Sequence, residues 1–291
     1  MDFALSEKLA DFIWINGRII PWDDANIHVM NHSLHYGGAV FEGERAYDGK
    51  VFKLTEHTDR LRQSARDMHL EVNYSVNEIN DATNQLLRKN CLKNAYIRPL
   101  IWRSSKTFGV YNKSLNSNLL IIAYESNPNF KNGTRLLLSP WRKINENAIP
   151  VQSKSSAHYA MLSVSQKLAQ DKGYDDALLL DQDDCLAECS TTNIFFGKDN
   201  EIITPIADRF LNGITRKTVI EIARNMGMRV QEARIKLEDI KPYDACFMTG
   251  TASEIKGVQS IDVDGESIIF TNNSITSKLQ QEYARIVGKE L

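Results

Sequence analysis

The chain has 291 residues, which is long for one compact core and sufficient for two domains. Its composition, 42% hydrophobic and 25% charged, is typical of a globular protein. The 35 basic residues do not exceed the 37 acidic ones, which argues against a nucleic-acid binder. No apolar run approaches the roughly 20 residues of a membrane span. We therefore expect neither nucleic acid nor membrane as a partner.

The four cysteines are too few and too irregularly spaced for a disulfide framework. Cys185 and Cys189 lie four residues apart, and buried or incidental thiols are favoured there over a metal or redox pair. The N-terminal segment carries acidic residues early and lacks a long apolar stretch, so a secretory signal is not expected. We predict a reducing, cytoplasmic location.

Strand and helix signals alternate through the first half of the chain. Asn16-Gly17 and Asp48-Gly49 predict hairpins, because these residue types tolerate positive φ. Ser75 and Glu78 form a capping box that opens a helix. Strands are expected at residues 12–15, 18–20, 39–47, 51–52, 96–102 and 119–124, and helices at residues 55–68 and 75–91.

A polar segment with Pro and Gly at residues 126–134 has no periodicity and predicts a linker between domains at 1–125 and 135–291. The second half again mixes both signals, with a further hairpin turn at Asp264-Gly265. Strands are expected at residues 135–138, 177–180, 193–196, 201–204, 228–233 and 245–249, and helices at 159–172, 214–226 and 274–287. Both halves are therefore mixed α and β, and a purely parallel sheet is not favoured.

Three histidines, His28, His32 and His35, have spacings that a helix would place on one face. With Glu42 and Glu44 nearby they could form a zinc cluster. Gly37-Gly38 interrupts the segment, however, and no H-E-x-x-H motif is present. Packing or hydrogen-bonding histidines are the favoured interpretation, and no metal is predicted.

Four short segments of the second half could carry chemistry. Two polar turns, at residues 212–216 and 249–253, offer glycines and N–H groups that suit an anion, although ordinary turn chemistry explains each alone. Lys154 lies among small residues before a helix, where a lysine could attack a carbonyl, although most lysines are simply solvated. Glu188 precedes a strand and could equally be an exposed acid in a turn.

Together these segments resemble the class IV, pyridoxal-phosphate-dependent aminotransferases. The signature runs through Glu188-x-Ser190-x-x-Asn193-Ile194-Phe195, Ile202-x-Thr204 and Leu211-x-Gly213-Ile214-x-Arg216. The first half resembles the branched-chain amino acid aminotransferases in particular. The segments that carry this second resemblance are His35-Tyr36-Gly37, Val40-Phe41-Glu42-Gly43, Glu56-His57 with Arg60-Leu61, and Tyr96-Ile97-Arg98-Pro99-Leu100.

The resemblance implies a two-domain α+β fold of the D-amino-acid-aminotransferase-like type, which is pyridoxal-phosphate fold type IV. It implies that Lys154 forms a Schiff base with the cofactor, and that Glu188 pairs with the pyridine nitrogen and keeps the ring cationic. Tyr159 would hydrogen-bond the phenolic oxygen of the ring. The phosphate cradle would comprise Arg60, the backbone N–H groups of Ile214 and Thr215, and Thr251. Gly213 and Gly250 would also belong to the cofactor-binding set.

The resemblance also implies the substrates: L-leucine, L-isoleucine and L-valine, with 2-oxoglutarate as amino acceptor in a ping-pong reaction. Arg98 would receive the distal carboxylate of glutamate or 2-oxoglutarate. Tyr36 and the Gly109-Val110 loop would come from the partner subunit, so a homodimer or a multiple of it is implied. The substrate-binding set is Tyr36, Phe41, Gly43, Tyr96, Arg98, Val110, Tyr159, Thr251 and Ala252.

Three features depart from the pattern of the branched-chain subgroup. Glu44 replaces an apolar residue, Ser153 and Ser155 flank Lys154 where small apolar residues are commoner, and residues 124–133 lack the tryptophan and glycines of a pocket lid. The first two could be surface or packing changes. The alternatives are a D-amino-acid or (R)-amine aminotransferase, an aminodeoxychorismate lyase and a non-catalytic member of the fold.

Overall fold

The computed structural model describes residues 9–111, 115–126 and 133–289. The chain forms two compact units: the first contains the described residues of Met1–Asn127 together with Ser153–Ala157, and the second those of Pro128–Gln152 and His158–Leu291. Most of the linker predicted at residues 126–134, including its proposed pocket lid, lies outside the described residues. The sequence prediction assigned Lys154 to the second domain, whereas the segment Ser153–Ala157 belongs to the first unit.

The first unit is built on one largely antiparallel sheet. Its strand order is β2-β1-β7-β6-β4-β5, and β3 also pairs with β6. Asn16 and Gly17 have φ values of 47° and 88° in the first hairpin, as their residue types predicted. The strands are β1 (Phe12–Ile15), β2 (Arg18–Pro21), β3 (Ala39–Phe41), β4 (Glu44–Tyr47), β5 (Lys50–Val51), β6 (Ala95–Ser104) and β7 (Asn116–Glu125).

Two helices cover one face of this sheet, and a short third one lies before β3. They are α1 (His32–Tyr36), α2 (Leu54–Asp67) and α3 (Val76–Lys89). The capping box predicted at Ser75 and Glu78 opens α3, with both reciprocal hydrogen bonds formed. Buried side chains of α2 and α3, such as Leu61 and Ile79, form a core with Ile97 and Ile121 of the sheet.

The second unit contains a larger sheet of mixed direction. Its strand order is β10-β9-β8-β15-β14-β11-β12-β13, with β16 paired to β15. Three pairs, β8 with β9, β8 with β15 and β12 with β13, are parallel. The strands are β8 (Thr134–Leu138), β9 (Asp176–Leu180), β10 (Leu186–Cys189), β11 (Asn193–Lys198), β12 (Glu201–Pro205), β13 (Arg229–Ala233), β14 (Ala245–Gly250), β15 (Glu254–Val263) and β16 (Glu266–Ile269).

Three further helices are α4 (Ser156–Asp171), α5 (Ile214–Asn225) and α6 (Ser274–Val287). The helix predicted from residue 159 begins three residues earlier, because the Ser155 hydroxyl accepts a hydrogen bond from the Ala157 amide at 3.3 Å. The mixed α and β class predicted from the sequence is confirmed. Among the described residues, no helix combines the length and the apolar character that crossing a membrane requires.

Candidate active site

The segment that carries Lys154 is tied to the first unit by its backbone and its flanking serines. The Lys154 amide donates to Ser64 Oγ of α2 at 2.9 Å, and the Phe41 amide donates to the Lys154 carbonyl at 3.0 Å. Ser153 Oγ donates to the Ser64 carbonyl and Ser155 Oγ to the Ala39 carbonyl, both at 3.2 Å. The serines that depart from the family pattern are thus buried anchors rather than surface changes.

The ring of Phe41 contacts two cations. Lys154 Nζ lies 5.1 Å and Arg98 Cζ 4.4 Å from its centroid, distances typical of cation–π contacts. Arg98 Nη2 also donates to the Tyr96 hydroxyl at 2.7 Å. Tyr96 and Arg98 alternate with the core residue Ile97 along β6, so they leave the sheet on the face opposite α2 and α3.

A cavity of about 480 Å³ opens on that same face of the first unit. Gly43 packs against Tyr96, which lines this cavity. A Cβ on Gly43 would lie 2.4 Å from the Tyr96 hydroxyl, so a larger residue would displace the Tyr96 side chain. Burial raises the pKa of Tyr124, so this phenol stays neutral. The cavity is mainly apolar, with one cationic and one acidic side chain; its lining includes Ile13, Trp22, Asp23, Asn26, Tyr96, Arg98, Ile122 and Tyr124.

On the opposite face, a buried charge cluster holds Arg60. Glu42 accepts hydrogen bonds from Arg60 Nε at 2.6 Å and from Arg60 Nη2 at 2.8 Å. Glu42 Oε2 also accepts from His57 Nδ1 at 2.7 Å. Burial by itself raises the pKa of Glu42, but Arg60 and His57 hold it far below its usual value. Arg60, predicted to bind phosphate, is therefore oriented by a fully buried carboxylate.

Glu44 is fully buried on the same side as this cluster, which contradicts a surface interpretation of its departure from the family pattern. On the neighbouring strand β6, the residue that pairs with Glu44 is the core residue Ile97. Neither carboxylate oxygen has a hydrogen-bond partner among the described residues. Burial first, and the Glu42 carboxylate second, raise the pKa of Glu44 well above its usual value. Burial therefore favours the neutral form of the Glu44 carboxyl group.

In the second unit, the two predicted polar turns lie at one end of the sheet, joined by Asn193. Asn193 Oδ1 accepts from the Gly213 amide at 3.2 Å, and Asn193 itself pairs with Thr249 of β14. Helix α5 begins directly after Gly213, which supplies no capping side chain. The N–H groups of the first helical turn, including those of Ile214 and Thr215, therefore point out of the N-terminus of α5 and have no side-chain cap.

The second turn connects β14 to β15 through Thr251 and Ala252. A Cβ on Gly250 would lie 2.9 Å from the methyl carbon of Thr192, so this position needs a glycine. The buried hydroxyl of Thr249 has no hydrogen-bond partner among the described residues. Backbone amides of a tight turn and a buried hydroxyl without a partner are groups that can donate hydrogen bonds to a phosphate.

Glu188 lies within β10 and is buried, so it is neither an exposed acid nor part of a turn. Its Oε1 atom is 2.5 Å from Nζ of Lys143, and the two side chains are 8% and 3% exposed. Sequence reasoning did not identify Lys143, because its partner lies 45 residues away and nothing in its local sequence marks it. Glu42 and His57 were recognised only as motif residues, without a role.

The remaining predicted site residues are more exposed. Tyr36 at the end of α1 and Val110 are 41% and 73% exposed, and the Gly109 amide donates to the Tyr36 hydroxyl at 3.4 Å. Tyr159 is half-buried in the first turns of α4. The histidines of the possible zinc cluster contact backbone instead: His32 pairs with the Val110 carbonyl and His35 with the Val29 carbonyl, both at 2.9 Å. No metal-binding group of three His, Cys, Asp or Glu residues occurs within the described parts of the chain.

These features define a class of enzyme, and comparison with known proteins agrees. A sequence model of the family "Amino-transferase class IV" matches residues 39–261. A protein of Rickettsia bellii, "Probable branched-chain-amino-acid aminotransferase", is 53% identical over 283 residues, which are 97% of this chain and 98% of that protein. The chain therefore belongs to the class IV aminotransferases, which are pyridoxal-phosphate-dependent enzymes, and the family prediction is confirmed.

Two solved structures carry the same specific name. The branched-chain aminotransferase of Thermoproteus uzoniensis with norvaline has a TM-score of 0.90 and 33% identity, covering 97% of this chain and 96% of that one. The branched-chain amino acid aminotransferase of Thermobaculum terrenum, in its PLP-bound holo form, has a TM-score of 0.88 and 30% identity, covering 97% and 95%. The first-half motifs had predicted this subgroup.

The residues present fit pyridoxal phosphate in their chemistry. Lys154 offers an amine beside an aromatic ring, and Glu188 a buried carboxylate for a protonated nitrogen. The start of α5 and the Gly250 turn offer amides and a buried hydroxyl for a phosphate.

Proposed function

We propose that this protein transfers the amino group of L-leucine, L-isoleucine or L-valine to 2-oxoglutarate in a ping-pong reaction. The contact of the Phe41 ring with both the Lys154 amine and the Arg98 guanidinium carries this proposal. The Phe41 ring offers an apolar wall for the branched side chains of the amino donors. The neighbouring Arg98 offers a cation for the carboxylate side chain of 2-oxoglutarate, which would occupy the same pocket in the second half-reaction. The names of the relatives and of the solved structures support branched-chain substrates.

Lys154 is the proposed catalytic residue, and it would hold the cofactor aldehyde as a Schiff base. Bound there, pyridoxal phosphate supplies an electron sink that stabilises negative charge at the substrate α-carbon. Once the incoming amino acid has taken its place, the Lys154 amine would remove the α-proton as a base and deliver it, as an acid, to the carbon of the former cofactor aldehyde. Its backbone bonds to Ser64 and Phe41 keep the amine in place while the proton moves.

The other proposed cofactor contacts match hydrogen-bond donors, acceptors and charges of the protein with those of the cofactor. Glu188 would accept a hydrogen bond from the protonated ring nitrogen, and Tyr159 would donate to the phenolic oxygen. The amides of Ile214 and Thr215, with Thr251 and Arg60, would bind the phosphate. Glu42 supports this role of Arg60 by fixing two of its guanidinium nitrogens.

Substrate selection would use aromatic and charged side chains. Phe41, Tyr36 and Tyr159 would exclude water around a branched side chain, and Arg98 would bind the distal carboxylate of glutamate or 2-oxoglutarate. Tyr96 and the backbone amides of Thr251 and Ala252 would bind the α-carboxylate.

A homodimer is part of the proposal, because an apolar surface of the first unit is exposed. His35 contacts two segments of this surface. Its ring lies 5.4 Å from that of Phe108, and its Nε2 contacts the Val29 carbonyl. Exposed apolar patches of this kind mark protein interfaces. The surface comprises Ile27, Val29, Leu34, Tyr36, Phe108, Val110 and Tyr111, which are 41% to 80% exposed. We further propose a cytoplasmic location, since all four cysteines are unpaired thiols.

The test is a half-reaction panel with the cofactor-loaded protein. L-Leu, L-Ile, L-Val and L-Glu should each bleach the visible absorbance band, whereas D-Ala and an (R)-amine should not. Bleaching by D-Ala or the amine alone would support the D-amino-acid or (R)-amine alternative. Pyruvate release from aminodeoxychorismate would support the lyase.

Lys154→Ala should lose the visible band and nearly all turnover, and the exposed Lys172→Ala should keep both. A Lys154→Ala protein with the band and activity of the wild type contradicts the catalytic assignment. Light scattering in solution should give the mass of a dimer or its multiples, and Val110→Asp should lower that mass.

A further inference from the structure

A buried ion pair joins Lys143 to the acid proposed to contact the cofactor ring. Lys143 Nζ lies 2.5 Å from Glu188 Oε1, and both side chains are almost completely removed from solvent. Lysine and glutamate are very rarely buried unless each compensates the charge of the other. The next residue toward the N-terminus shows the contrast, because Arg142 pairs with Asp184 at the surface.

The backbone fixes both members of this pair. The Lys143 amide donates to the Leu180 carbonyl at 2.7 Å, so the segment after β8 lies along the end of β9. Strand β9 in turn pairs with β10, which contains Glu188. Replacing a buried ion pair with apolar residues often leaves stability unchanged or improves it. A need for stability alone therefore does not explain why this pair is present.

We infer that Lys143 is a positioning residue, which holds one oxygen of the Glu188 carboxylate and orients the other before the cofactor arrives. The short contact between two buried side chains fixes the carboxyl group in one orientation. A carboxylate can accept several hydrogen bonds, so Lys143 can hold Oε1 while Oε2 serves the ring nitrogen. This inference rests on the proposed function.

A double-mutant cycle tests it, read as the dissociation constant of pyridoxal phosphate from titration of the apoprotein. Lys143→Met should weaken binding at least about tenfold, the effect of losing a hydrogen bond to a charged group. Lys143→Arg should restore most of the affinity. In the Glu188→Gln background, Lys143→Met should change the affinity less than about twofold, because Lys143 acts only through Glu188.

The matched control is Lys167→Met, which breaks an exposed ion pair with Asp171 in the same unit. It should not change the affinity. Equal losses from Lys143→Met in both backgrounds would overturn the inference, as would an unchanged affinity. Tighter binding by Lys143→Met would also overturn it, by showing that Lys143 competes with the ring for Glu188.

Folding of the variants is informative as well. If Lys143→Met fails to fold but the double variant with Glu188→Gln folds, the uncompensated carboxylate is the cause, as the inference requires. If both fail while Glu188→Gln alone folds, Lys143 has an independent structural role and the inference is wrong. A wild-type protein that binds no pyridoxal phosphate would instead refute the proposed function.

Discussion

Glu44 should make the protein less stable as the pH rises, and Glu44→Gln should remove that dependence. In the folded chain its carboxyl group is fully buried and, among the described residues, both oxygens lack partners. Burial, reinforced by the Glu42 carboxylate, raises the pKa of Glu44 well above 4.5. In the unfolded chain the same group ionises near its usual value.

The sign and size of the effect follow from proton linkage. Above pH 4.5 the unfolded chain releases the Glu44 proton and the folded chain keeps it, so the free energy of unfolding falls as the pH rises. The loss is about 1.4 kcal/mol for each pH unit and ends at the pKa of the folded state. Glutamine has nearly the same shape and no charge. The free energy of unfolding of Glu44→Gln, relative to that of the wild type, should therefore rise by about 1.4 kcal/mol per pH unit over this range.

Chemical denaturation at half-unit steps from pH 4 to pH 8 measures this difference, followed by tryptophan fluorescence. All other groups are shared, so the difference between the two proteins isolates Glu44. Glu71→Gln, at an exposed glutamate of the same unit, should show no pH-dependent difference. Parallel stability curves for the wild type and Glu44→Gln would refute the burial argument.

Three further substitutions test the site. Glu42→Gln should lower the free energy of unfolding by about 3 kcal/mol and weaken cofactor binding, because it breaks a buried pair with Arg60; denaturation and cofactor titration measure the two effects. Gly213→Ala should weaken cofactor binding about tenfold, because its Cβ would lie 2.3 Å from Asn193 Oδ1 and displace the start of α5. Arg98→Met should raise the KM for 2-oxoglutarate at least about tenfold and change that for leucine less than about threefold, in steady-state assays.

Each of these three has a matched control or a contrary outcome. Gly38→Ala should be tolerated, because its Cβ would meet other atoms only at 3.5 Å or more. Arg18→Met, at an exposed arginine, should leave both KM values unchanged. Equal increases in both KM values for Arg98→Met would exclude selective recognition of the distal carboxylate. Wild-type cofactor affinity in Glu42→Gln would show that the orientation of Arg60 is unimportant.

Local chemistry made much of the fold predictable. The hairpin turns at Asn16-Gly17 and Asp48-Gly49, the capping box at Ser75 and helix α6 lie where the sequence predicted them, because each depends on residues within a few positions of one another. Strand β10 was not predicted, since its four residues are too short a run to show alternation. The start of α4 was placed too late because the cap at Ser155 was not recognised.

The sequence by itself determined the family, because a signature of fixed residue types at fixed spacing needs no contact map. It also marked Lys154 and Glu188 as candidate site residues, although it left the environment of Glu188 open. Only the tertiary structure decided that Glu188 is buried against Lys143, that Glu42 orients Arg60, and that Glu44 lies in a core. Burial and ion pairing join residues far apart in the chain, and the energy of a charge depends on those neighbours rather than on its position in sequence.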